Sequence, residues 1–176
     1  MNNTIRLAAS ISRLIFSSDS APIALTQGAL LLLRVVLGTV MVHHGFDKLD
    51  DISDFAESYV AAIGIPFPIF FAYCAAITEV VASPLLALGF LTRPAALGLF
   101  ITMLVANYHH ILTSGFFIPS LEMSLLYAAS FAFFAIYGGG KYAIDTLIAN
   151  ALTKLLLNNS EAKLSTQTAR VTVSNK

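Results

Sequence analysis

The apolar run from Ile69 to Leu91 limits the possible folds of this chain more than any other stretch. Crossing a bilayer as a helix takes about 20 mostly apolar residues, and this run is long enough. Three further runs have the same character, at about Leu25–Phe46, Ala95–Leu112 and Leu121–Tyr137. Only 11% of the chain is charged, whereas an ordinary soluble domain has about 25%. The sequence therefore predicts an all-α integral membrane four-helix bundle.

The connections between the four spans predict the topology. Spans 1 and 2 are joined by an acidic stretch and a short apolar segment, Tyr59–Ile65, which we expect to form a short extra helix. Four spans place both termini on one side, and an excess of Lys and Arg marks the cytoplasmic side. Lys48 is the only base expected on the opposite side, so both termini are predicted to be cytoplasmic. The bases on the terminal side are Arg6, Arg13, Arg93, Lys141, Lys154, Lys163, Arg170 and Lys176.

The chain outside the spans is expected to form two tails. Residues 1–22 are Ser-rich and basic, which predicts a flexible or interfacial N-terminal tail or, alternatively, a targeting signal. Residues 23–147 form the predicted four-transmembrane-helix domain, and residues 148–176 a surface helix and a disordered C-terminal tail. The zero net charge gives no basic field for nucleic acid. The single cysteine, Cys74, is predicted to be a small buried hydrophobe.

Glu79 is the residue that most needs explaining, because it lies near the middle of the second span. A carboxylate at that depth costs roughly 2.5–3.5 kcal/mol and by default marks a functional site or a buried pair. From helix rise, Arg34 lies roughly 10–13 Å and Glu79 roughly 18 Å from the cytoplasmic face. We therefore predict a buried Arg34–Glu79 pair as the candidate catalytic group. The alternative is that Arg34 extends to the cytoplasmic interface.

Polar residues near the outer ends of the spans predict a funnel above Glu79. His44 shares a helix side with Arg34, whereas His109 is rotated away from its neighbour His110 and is expected to be interfacial. The funnel either binds a polar head group and relays protons, or merely solvates helix ends. No metal site is predicted, because each helix offers one inward histidine at most. The candidate binding residues are His44, Lys48, Asn107, His110 and Glu122.

Several segments between about Leu30 and Leu147 together resemble the DoxX family of small four-span membrane proteins. The family pattern has an arginine and a His-Gly-x-x-Lys turn in the first span, a glutamate and a Gly-x-x-Thr-Arg turn in the second, and a closing Gly-Pro-Gly-Arg-Tyr-Ser-Leu-Asp. The closing motif departs from this pattern but keeps its glycines, a base, the tyrosine and the aspartate. The matching residues are Arg34, His44, Gly45, Lys48, Glu79, Gly89, Thr92, Arg93 and 138–145.

The resemblance implies a multi-pass protein of the inner membrane that is linked to membrane oxidoreductase systems. We expect a redox-linked subunit that binds quinone or another small molecule, with a soluble or membrane redox partner protein supplying electrons. Glu79 would relay protons or bind the head group, and Arg34 would orient Glu79. A non-enzymatic scaffold or small-molecule carrier is the alternative. An isomerase-like enzyme acting on a lipid or sterol is a third interpretation.

Overall fold

Four long apolar helices dominate the computed structural model, which describes residues 23–158. No strand occurs in this range, so the predicted all-α membrane bundle is confirmed, and so is the short extra helix. The predictions for residues 1–22 and for the end of the C-terminal tail lie outside the described residues. The spans are α1 (Ile23–Asp50), α3 (Pro68–Leu88), α4 (Thr92–Ser114) and α5 (Ile118–Tyr137). The other helices are α2 (Ile52–Phe55) and α6, which runs from 144 to the last described residue, 158.

Glycines set how closely α1 packs against α3. A Cβ atom on Gly38 would lie 2.6 Å from the Ser83 carbonyl oxygen, and one on Gly45 would lie 2.8 Å from Val80 Cγ2. These two glycines are seven residues apart on one side of α1, where Met41 is also buried. Small residues let membrane helices approach closely and gain van der Waals contact. Gly45 therefore serves the helix packing that brings α1 beside Glu79.

The chain between α1 and α3 forms a continuous helical segment that covers one end of the bundle. After α2, it runs through a π-helical stretch (Ala56–Val60) and a 3₁₀ turn (Ala61–Ile63). Ala56 and Val60 are buried against Ala72 of α3. We call residues 52–63 the roof segment, because they lie over the space between α3 and α4.

Candidate functional site

Glu79 is fully buried and has an ion-pair partner, Lys48. Its Oε2 atom accepts a hydrogen bond from Lys48 Nζ at 2.5 Å, whereas Oε1 has no partner among residues 23–158. Lys48 also donates to the His44 carbonyl oxygen at 3.4 Å and lies 5.4 Å from the centre of the Phe55 ring. Within the part of the chain that the structure describes, the carboxylate is therefore paired at one oxygen and unpaired at the other.

The predicted Arg34–Glu79 pair is wrong, because the Arg34 side chain extends away from Glu79, toward the end of the bundle where α5 ends and α6 begins. Its guanidinium donates to the Gly139 and Tyr142 carbonyl oxygens at 2.9 and 3.2 Å. The reason lies in helix geometry: Cα–Cβ bonds tilt toward the helix N-terminus. Arg34 therefore extends away from Glu79, whereas Lys48, about 21 Å further along α1, extends back toward it.

A set of polar contacts around Arg34 joins the α3–α4 turn to the start of α6. The Asp145 carboxylate accepts hydrogen bonds from the Leu91 and Thr92 amides, both at 2.8 Å, and from the Thr92 hydroxyl at 2.7 Å. Burial raises the pKa of Asp145, but these hydrogen bonds and the nearby Arg34 outweigh that effect and lower it below the ordinary value. We call this set the Arg34 cluster; it consists of Arg34, Gly89, Leu91, Thr92, Gly139, Tyr142 and Asp145.

A cavity of ≈ 790 Å³ lies beside Glu79 at the opposite end of the bundle. Its wall extends along α4 from His110 to Gly98, about 18 Å. There α4 touches α3, since a Cβ atom on Gly98 would lie 3.3 Å from Thr78 Cγ2. Between these limits the cavity occupies the space between α3 and α4, and the roof segment covers it. Apolar wall residues include Val60, Ile63, Phe71, Ile101, Met103 and Val105.

The cavity brings together some of the predicted funnel residues. His44, Lys48 and His110 line it with Glu79. Asn107 does not: its amide donates to the Met103 carbonyl oxygen at 2.8 Å and accepts from the Ser124 hydroxyl at 2.8 Å.

The structure thus uses Asn107 to join α4 to α5, away from the cavity. Glu122 also lies outside the cavity wall, on the exposed surface of α5. The prediction that Asn107 and Glu122 line the funnel is therefore wrong. The i, i+4 spacing placed Asn107 beside Met103 but did not say which neighbouring helix that side of α4 meets.

Two cavity residues differ from their expected positions. His109 is buried rather than interfacial: its ring lies 4.6 Å from the Tyr59 ring, and Nδ1 is 3.2 Å from the Tyr59 carbonyl oxygen. The prediction considered only the four spans, whereas His109 packs against the roof segment. Cys74 is exposed rather than buried and lines the cavity. The sequence feature that could have indicated the burial of His109 is an aromatic residue in the roof segment, Tyr59.

Four spanning helices with a buried ion pair and a cavity between helices define a multi-pass membrane protein. The family model DoxX matches residues 29–111. Inner membrane protein YphA of Escherichia coli (strain K12) is 31% identical over 124 residues, which cover 66% of this chain and 87% of that protein. An uncharacterized protein of Haemophilus influenzae is 32% identical over 118 residues, covering 64% and 85%.

The chain belongs to the DoxX family and is a multi-pass inner membrane protein. Its resemblance to that family, stated from the motifs, is thereby confirmed. The matched range includes Arg34, Lys48 and Glu79 and ends before the glycine motif at 138–140. No solved structure matches the chain significantly.

Proposed function

We propose that this protein binds quinone, or another lipid-soluble molecule with a polar head group, as a redox-linked subunit of a membrane oxidoreductase system. The observation that carries the proposal is that Glu79, in the wall of a mostly apolar cavity, is buried and has an Oε1 atom without a hydrogen-bond partner among the described residues. Small-molecule sites are typically apolar cavities of about 300–1,000 Å³ with a few convergent polar groups. The ≈ 790 Å³ cavity fits that description.

The distribution of polar groups supports one orientation of the ligand. Lys48 and Glu79 form an ion pair, and His44 and His110 line the same cavity. At the level of Thr78, the chain neighbour of Glu79, the α4 side of the wall is formed by Gly98, Ile101 and Thr102. In the proposed orientation the head group lies near Glu79 and the apolar tail lies between α3 and α4. The tail then contacts surfaces that the bilayer would otherwise cover.

The proposed roles follow from the contacts rather than from the sequence-based pair. Lys48, not Arg34, is the ion-pair partner of Glu79, because its ammonium group donates to the Oε2 atom of that carboxylate. Glu79 contacts the head group and relays to it, one at a time, the two protons taken up from water when the quinone is reduced to the quinol. The two electrons come from a redox partner protein, soluble or membrane-bound. Arg34 has no role at this site, because its guanidinium is bound to carbonyl groups at the other end.

The only cysteine of the chain provides the test, because Cys74 is exposed in the cavity wall. The protein in lipid nanodiscs would be titrated with a fully substituted benzoquinone and its quinol, each with a decyl tail. The labelling rate of Cys74 by N-ethylmaleimide would be followed by mass spectrometry. At ten times Kd of either form, the rate should fall about tenfold, because only the unoccupied protein reacts.

A matched control separates occupancy of the cavity from a general effect of the ligand on the membrane. In the double variant Cys74→Ser/Ile136→Cys, the thiol lies on the exposed surface of α5, outside the cavity wall. Its labelling rate should not respond to either form. If neither form protects Cys74 in the native protein, the proposal fails.

The non-enzymatic scaffold has its own supporting observation. The Lys48–Glu79 pair joins α1 to α3 close to Gly45, whose added Cβ would lie 3.0 Å from Glu79 Cβ. In that case the ion pair holds the two helices together and the cavity needs no ligand. This interpretation predicts that Cys74 labelling is unchanged by either form, while Glu79→Gln still lowers the melting temperature.

A further inference from the structure

We infer that the cavity selects uncharged ligands whose head group donates a hydrogen bond, so that it prefers a quinol to the corresponding quinone. This inference rests on the proposed function and names the chemical form of the ligand. It depends on which hydrogen-bond donors and acceptors of the described cavity residues are not already paired within the protein.

The unused buried group is an acceptor. Glu79 has no exposed surface, and its Oε1 has no hydrogen-bond partner among residues 23–158. An ionised carboxylate can only accept hydrogen bonds. A hydroxyl placed against Oε1 would satisfy it, whereas the carbonyl oxygen of a quinone would place two acceptors against each other.

Several potential donors in the wall are already engaged within the protein. The Thr78 hydroxyl donates to the Cys74 carbonyl oxygen at 2.7 Å, and the Thr102 hydroxyl donates to the Gly98 carbonyl oxygen at 3.1 Å. Lys48 directs its ammonium to Glu79 and to the His44 carbonyl oxygen. These contacts reduce what the wall offers to an acceptor such as a quinone carbonyl.

The histidines of the wall do not reverse this preference. A neutral imidazole carries one donor and one acceptor nitrogen, so His44 and His110 can serve either kind of head group. The Lys48 ammonium can only donate, and two of its three N–H groups are already directed to Glu79 and to the His44 carbonyl oxygen. The buried acceptor without a partner among the described residues is Glu79 Oε1, and discrimination depends on it.

Charge at the outer part of the cavity selects against anionic ligands. Asp47, Asp51 and Asp54 line the cavity together with Lys48, whose ammonium is paired with Glu79. Three carboxylates against one paired ammonium repel an anionic head group. A fatty acid or a phenolate is thus disfavoured, and an uncharged hydroxyl-bearing ring is the ligand class that fits both the charge and the acceptor.

The first test compares three ligands of nearly the same shape on the native protein in nanodiscs, without oxygen. They are the decyl benzoquinol, its quinone, and the dimethyl ether of the quinol, which cannot donate. Each Kd is read from protection of Cys74. The quinol should bind about tenfold or more tightly than the other two, since hydrogen bonds to charged groups are worth more than neutral ones.

The second test changes the protein instead of the ligand. In Glu79→Gln, the amide oxygen can accept from Lys48, and the amide NH₂ then faces the cavity as a donor. The variant should lose the preference for quinol and bind the quinone at least as tightly as the quinol. This readout depends on hydrogen-bond direction, which a purely structural effect of the substitution would not invert.

The outcomes separate the inference from the proposed function. Equal binding of quinol and its dimethyl ether, or tighter binding of the quinone by the native protein, overturns the inference while leaving the binding function standing. Absence of protection by all three ligands overturns the proposed function and the inference with it. The ligand series on the native protein gives a result even if Glu79→Gln does not fold.

Discussion

The two ends of the bundle each hold a buried charged residue, but the groups that contact the charge differ between them. At one end, Arg34 donates to two backbone carbonyl groups, and its Nε has no hydrogen-bond partner among residues 23–158. At the other end, the Glu79 carboxylate has Lys48 as its one partner in that same range, and it borders a cavity. Both residues lie within residues 29–111, the range that matches the DoxX family model, so lying in that range does not by itself separate an architectural residue from a ligand-binding one.

The difference between the ends lies in which groups satisfy the charge. The Arg34 cluster consists of backbone carbonyls, backbone amides and the Asp145 carboxylate, all within the chain. Such a set fixes turns and helix starts and leaves little for a ligand to bind. At the other end, the cavity-lining Glu79 keeps one carboxylate oxygen without a partner among the described residues. Substitutions in the Arg34 cluster should therefore lower stability without changing ligand selectivity.

The largest effect is expected from Gly89→Ala. Gly89 has φ +72°, and an added Cβ atom would fall on the Arg34 guanidinium and within 2.7 Å of Ala143 Cβ. Left-handed strain together with overpacking should cost about 3–5 kcal/mol. The loss would be measured as a lower melting temperature in detergent.

Gly64→Ala is the matched control for the backbone strain alone. Gly64 is also left-handed, with φ 76° and ψ 17° against 72° and 35° at Gly89, but no atom of the described residues lies within 4 Å of its added Cβ atom. It should cost about 1–2 kcal/mol. Equal melting temperatures for the two variants would contradict the close packing of Arg34 against the α3–α4 turn.

Arg34→Gln should have the next largest effect on stability. The substitution removes a charged donor from the Gly139 and Tyr142 carbonyl groups, which should cost about 2–3 kcal/mol. Arg93→Gln, at an exposed position of the neighbouring turn, should change the melting temperature little.

The same Arg34→Gln variant should retain the native pattern of Cys74 protection by quinol and quinone. That result would separate Arg34 from the binding site. A change in ligand preference at unchanged melting temperature would instead mean that Arg34 takes part in ligand binding. It would contradict the stated difference between the two ends.

Much of the fold could be predicted from the sequence because apolar length is a local property. Spans of sufficient length, a short helix ended by Gly64, and a buried side of α1 with Arg34, Met41 and Gly45 all follow from residue spacing. Glu79 was identified for the same reason, since its depth depends only on its position within a run. None of these required knowledge of which helices are neighbours.

The partners of the charged residues could not be predicted from depth alone. Counting residues gave similar heights to Arg34 and Glu79 but ignored the direction in which a helical side chain extends. Including that direction would have favoured Lys48 as the partner of Glu79, because Lys48 follows on the same side of α1. Asn107 and His109 required the position of α5 and of the roof segment, which residue spacing within α4 does not contain.

Asp145→Asn should have the smallest effect, and its pH dependence provides the test. The native carboxylate accepts three hydrogen bonds at the start of α4, and replacing it should cost about 1–2 kcal/mol near neutral pH. The pKa of folded Asp145 is lowered, so its contribution is fully present above the ordinary pKa of 3.8 and is lost as the pH falls through the lower folded value.

The melting-temperature difference between the native protein and Asp145→Asn should accordingly stay constant from pH 7 to about pH 5 and shrink below pH 3.8. Asp50→Asn, at an exposed position near the end of α1, serves as the control and should show almost no difference near neutral pH. If the Asp145 difference instead grew on acidification, the carboxylate would not be the hydrogen-bond acceptor that holds the α3–α4 turn. The stated difference between the two ends of the bundle would then fail, because the charged groups of the Arg34 cluster would no longer be satisfied by hydrogen bonds within the chain.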